Sequence, residues 1–112
     1  MKRALLALLV LFAASGTATA REQLRVAVSS STLDGVGAIA SGFARNTGLP
    51  VPALEVTGSA IAFDLFCAGV GFEHVDVVTA SRRMITGEHA KCEKNGVTSI
   101  TEIEIGRDAL VL

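Results

Sequence analysis

The chain has 112 residues, ten of them basic and eleven acidic, for a formal net charge of −1, with no tryptophan or tyrosine. It carries no basic stripe, which argues against a nucleic-acid partner. The absence of Trp and Tyr argues against a sugar site, which usually wants an aromatic platform.

The first twenty residues read as a leader. Met1-Lys2-Arg3 is a short positive start, residues 4–14 are an apolar run, and Ala18-Thr19-Ala20 supplies small residues for a signal peptidase. The apolar run is too short to span a bilayer, which needs about 20 residues. We therefore expect residues 1–20 to be cleaved, leaving one small domain over residues 21–112 in the periplasm. Without Lys2 and Arg3 the mature chain has eight basic against eleven acidic residues, a net charge of −3. Cys67 and Cys92 then enter an oxidising compartment, where a disulfide is the plain expectation. Free thiols remain the alternative. A metal pair is disfavoured, because neither cysteine has a second ligand at zinc-site spacing.

The periodicity predicts a strand over 24–28, a helix over 33–46 stopped by Thr47-Gly48, and a strand starting near Ala53. Pro50 and Pro52 place that second strand toward a sheet edge. A helix over 60–68 with Ser59 as its cap, a strand over 75–78 and a helix capped by Thr86 and stopped by Asn95-Gly96 follow. Residues 100–105 set Thr101, Ile103 and Ile105 against Glu102 and Glu104, the alternation of a half-buried strand. Gly106-Arg107-Asp108 turns the chain into the apolar residues 109–112. From that ending we expect a fragment, or a truncated product, of something longer. The alternation of strands and helices reads as α/β with a mostly parallel sheet flanked by helices.

Three strand-to-helix junctions are rich in hydroxyls: Ser29-Ser30-Ser31-Thr32, Thr57-Gly58-Ser59 and Thr79-Ala80-Ser81-Arg82. All three fall at the carboxyl ends of strands, where parallel sheets bind ligands. Each hydroxyl has a structural alternative as a helix cap, and Ser31 with Asp34 has the spacing of a capping box. Together, hydroxyls and free helix N–H groups can hold a desolvated oxyanion. Arg82 or Arg83 could add a forked contact, or form a salt bridge to Asp76 or a solvated face instead. Catalysis has little support. Ser59 lacks the nucleophile elbow, nothing ties His74 or His89 to it, and strand spacing splits Glu73, His74 and Asp76 between two faces. No enzyme activity, metal or cofactor is expected.

Val26-Ala27-Val28-Ser29-Ser30-Ser31-Thr32, the run from Thr57-Gly58-Ser59 through Asp64-Leu65-Phe66-Cys67, and Asp76-Val77-Val78-Thr79-Ala80-Ser81-Arg82-Arg83 occur in order. With Cys92, Gly96-Val97 and Ile103-x-Ile105-Gly106-x-Asp108, they resemble the N-terminal part of periplasmic phosphate-binding proteins of ABC transporters. The resemblance covers essentially all of residues 21–112. It implies the first lobe of a type II periplasmic-binding fold, incomplete here. It implies phosphate as ligand, an inner-membrane ABC permease as partner and a monomer when full-length. It implies ligand contacts from Ser31, Thr32 and the Leu33 backbone, from Ser59, and from Ser81 with Arg82. The alternatives are the same fold binding another oxyanion, a sensor or adhesion domain, a non-binding remnant, or a secreted phosphoester hydrolase dependent on Ser59.

Overall fold

The computed structural model describes residues 23–107 together with Ala109 and Val111. The leader expected over residues 1–20, and much of the final apolar run, lie outside the described residues. Three strands, β1 (Arg25–Ser29), β2 (Ala53–Thr57) and β3 (Val77–Thr79), form a parallel sheet in the order β2-β1-β3. Helix α1 (Leu33–Thr47) links β1 to β2, α2 (Ser59–Phe66) lies between β2 and β3, and α3 (Thr86–Lys94) follows β3. The expected α/β class with a parallel sheet is what the chain adopts.

The period-two pattern of β1 divides the core. Val26 and Val28 point to one face, against Val36 of α1 with Leu33 and Leu54 beside them. Ala27 points to the other, against Ala62 of α2 and Val75, flanked by Leu65, Phe66 and Val78. A central parallel strand is covered on both faces, so it reads as an unbroken apolar run. A third cluster joins Cys67, Cys92 and Val97, with Phe66, Met84 and Ile100 against it. The Cys67–Cys92 disulfide is formed, tying the C-terminal end of α2 to α3.

Boundaries shift for identifiable reasons. Gly48 ends α1 in the left-handed region (φ 71°), and its N–H bonds the Ala44 carbonyl at 2.9 Å. Gly96 (φ 83°) follows α3, where the Val97 N–H reaches back to Cys92. The cap of α2 is Gly58 rather than Ser59, and the cap of α3 is Ile85 rather than Thr86. At that second cap the Glu88 carboxylate accepts the Ile85 N–H at 3.0 Å, the reciprocal half of a capping box, while the Glu88 N–H bonds the Ile85 carbonyl at 3.0 Å. Strand β3 begins at Val77 rather than Val75. At its entry the Asp76 carboxylate takes the Arg25 N–H at 2.8 Å, replacing a ladder acceptor.

Two expectations fail. The capping box of Ser31 with Asp34 does not form, because Ser30–Thr32 is a 3-10 turn and α1 starts without a side-chain cap bond. Residues 100–105 form no strand: Ile103 and Ile105 are 75% and 69% exposed. The alternation is real, but a strand exists only against a neighbour, and no described strand pairs with this segment. Its acidic residues instead meet Arg83, with Glu102 at 3.6 Å and Glu104 at 3.8 Å.

Candidate functional site

Parallel strands in one sheet end on the same edge, so the turns after β1, β2 and β3 meet there. In register, Ser29 stands beside Thr57, and Val28 beside Thr79. The hydroxyls of the three turns bond to one another. Ser59 Oγ donates to Ser29 Oγ at 3.2 Å and accepts the Ser81 N–H at 3.1 Å. It also pairs with Ser81 Oγ at 3.1 Å, while Ser29 Oγ pairs with Ser31 Oγ at 3.1 Å. A second bridge runs from Thr32 Oγ1 to Thr79 Oγ1 at 2.9 Å, and Thr32 Oγ1 donates to the Ser29 carbonyl at 2.9 Å.

These hydroxyls are not spent on their own helices. Neither Thr32 before α1 nor Gly58 before α2 makes a side-chain cap bond, and the Ser59 hydroxyl turns across to Ser29 and Ser81. The first intrahelical bond of α2 runs from the Ala62 N–H to the Gly58 carbonyl at 2.9 Å. The N–H groups of Ser59, Ala60 and Ile61 therefore stand at the positive end of the helix dipole without intrahelical acceptors.

Of the six residues expected at the site, Ser31, Thr32, Ser59 and Ser81 lie in the hydroxyl network. The Leu33 N–H is occupied by the Ser30 carbonyl, closing the 3-10 turn. Arg82 is held elsewhere. Its guanidinium forks onto Glu88 at 2.7 and 2.9 Å, donates to the Arg83 carbonyl at 2.9 Å, and lies 5.0 Å from the Phe63 ring centroid. The bond to Arg82 holds the Glu88 carboxyl below the usual carboxylate range, against the opposing effect of burial. The same bond raises the Arg82 guanidinium. The alternative salt bridge of the arginines to Asp76 is not what forms, since Arg82 takes Glu88 and Arg83 takes Glu102 and Glu104.

The sequence placed Ser29 and Thr79 in the hydroxyl-rich turns but not among the six residues expected to contact the ligand. Ser29 is 4% exposed at the last position of β1, and it joins the second turn to the first. The signal was available: a hydroxyl closing an apolar central strand at the sheet's carboxyl edge. A groove of about 530 Å³ adjoins the third turn, with Thr79, Arg82, Phe63, Phe66, Met84 and Ile100 among its walls. Among the described residues, the partners of Ser59 are Ser29 and Ser81.

The arrangement can present hydroxyl and helix N–H groups to a small anion, and among the described residues no carboxylate is bonded to the hydroxyls to repel it. No curated protein and no solved structure matches the chain. A family model described as a PBP superfamily domain matches residues 13–112, nearly the whole chain. With a parallel α/β sheet whose strand ends carry the converging turns, the chain belongs to this periplasmic-binding-protein superfamily, whose general role is substrate binding.

Proposed function

We propose that the chain binds inorganic phosphate in the periplasm as the substrate-binding component of an ABC uptake transporter. The observation that supports this reading best is Ser59. Its hydroxyl connects the turns after β1, β2 and β3, so donors separated by tens of residues share one small volume. Binding involves no bond-making. A tetrahedral oxyanion gives up water, and the exposed Ser31 hydroxyl with the N–H groups that open α2 replaces it.

In this reading Ser31 and Thr32 line the first turn, where the Ser30 carbonyl holds the Leu33 N–H, Ser59 lines the second, and Ser81 with Arg82 lines the third. Arg82 is paired with Glu88, so in this reading it reaches the anion only by giving up that carboxylate. These groups form one wall of the site, and a second lobe closing over the anion supplies the other, as the resemblance implies. Cleavage of residues 1–20 delivers the protein to the periplasm, where a membrane permease receives the anion.

The test is a 1H–15N NMR titration with phosphate and, separately, sulfate at matched ionic strength. Phosphate-dependent shifts are expected in the amides of residues 29–33, 58–61 and 79–82. Shifts absent from these three turns, or spread evenly over the surface, would remove the reading. Equal responses to the two anions would keep the site and discard phosphate selectivity.

A further inference from the structure

We infer that buried Ser29, not itself a ligand, makes Ser31 the hydroxyl that donates to the bound oxyanion. The inference rests on the oxyanion reading above and adds which hydroxyl does the binding.

Each hydroxyl has one proton and two lone pairs, so the directions in the network follow one from another. The Ser59 proton goes to Ser29 Oγ at 3.2 Å. The bond between Ser59 Oγ and Ser81 Oγ must then be donated by Ser81. Ser29 Oγ has accepted the Ser59 proton and is buried, so its own proton has Ser31 Oγ, at 3.1 Å, as its acceptor. On the other bridge the Thr32 proton is committed to the Ser29 carbonyl, so Thr79 donates to Thr32. The chain therefore runs Ser81 to Ser59 to Ser29 to Ser31. Every proton in it is used internally except the last. Ser31 is exposed, and its O–H is the donor this network leaves for a ligand.

Bonds aligned in this way polarise one another, so a hydroxyl that accepts is a stronger donor. Ser29 is the joint through which the second and third turns act on Ser31. Without its oxygen, Ser31 loses both the polarising bond and the contact that fixes its rotamer. Ser29 is thus a positioning residue, and Ser31 is the contact.

The experiment measures phosphate affinity by the same NMR titration for the full chain and for Ser29→Ala, Ser29→Thr, Ser31→Ala and the Ser29→Ala/Ser31→Ala pair. Ser29→Ala is expected to weaken phosphate about tenfold, the scale of one good hydrogen bond. Ser29→Thr, which keeps the hydroxyl, is expected to restore affinity to within about twofold of the parent, less than the cost of a typical hydrogen bond. The double variant should bind no more weakly than Ser31→Ala alone, because the two act as one unit. An unchanged affinity in Ser29→Ala, equal losses in the Ala and Thr variants, or additive losses in the double variant would overturn the inference while leaving phosphate binding intact. If the unsubstituted chain shows no phosphate-dependent shift, the functional reading falls and this inference falls with it. Should Ser29→Ala lose its folded spectrum, Ser29→Gly replaces it and is read the same way.

Discussion

Breaking the Cys67–Cys92 bond tests how this small domain is held together. Both sulfurs are fully buried, in a cluster with Val97, Phe66, Met84 and Ile100. The bond closes a loop with a sequence separation of 25, and it ties α2, which packs on the sheet, to α3. Removing it releases loop-closure entropy in the unfolded chain worth about 3.5 kcal/mol. That is a large part of the roughly 5–15 kcal/mol that stabilises a typical domain. Cys67→Ala with Cys92→Ala also removes two buried sulfurs and adds a cavity cost of about 1 kcal/mol. Urea unfolding of three samples separates these effects: the oxidised protein, the same protein held in dithiothreitol, and the double-alanine variant. With a slope of about 1 kcal/mol/M, the reduced protein should lose about 3.5 M in midpoint and the variant somewhat more. A reduced protein within about 1 kcal/mol of the oxidised form would refute the loop-entropy reasoning. The packing of α3 through Val97 and Met84 would then carry the stability instead.

The Arg82–Glu88 pair gives a pH dependence with a defined sign. Glu88 titrates lower in the folded chain than in the unfolded one, so its contribution is present above the ordinary carboxylate range and is lost as pH falls through the folded value. Glu88→Gln should flatten the acid side of the stability profile, measured as urea midpoint against pH; an unchanged slope would show that the pair does not act on folding. The leader expected over residues 1–20 carries a separate prediction. Expression with export in a bacterial host should yield a mature protein beginning at Arg21, read by intact mass, and retention of residues 1–20 in the exported protein would contradict it.

Much of the architecture was legible because its causes are local. Alternating Val26 and Val28 mark a strand, Thr47-Gly48 and Asn95-Gly96 mark helix ends, and Pro50 with Pro52 marks an edge strand, which β2 is. Residues 100–105 misled for the same reason. Alternation records which side chains could be buried, but a ladder also needs a second backbone in register. The hydroxyl turns could be found from composition and from their place after each strand. The pairing of Cys67 with Cys92 needed only their number and the oxidising compartment expected from the leader.

Tertiary structure decided who meets whom. The order β2-β1-β3 puts Ser29 in the middle of the edge, within reach of Ser31 and Ser59, and brings Thr79 to Thr32 across 47 residues of chain. It also turns Arg82 away from the serines to Glu88, six residues on, because the start of α3 lies beside the third turn and its carboxylate offers the matching fork. A strand's periodicity is written in its own residues. The identity of a hydroxyl's partner depends on sheet order and register, and those follow from burying both faces of β1 at once.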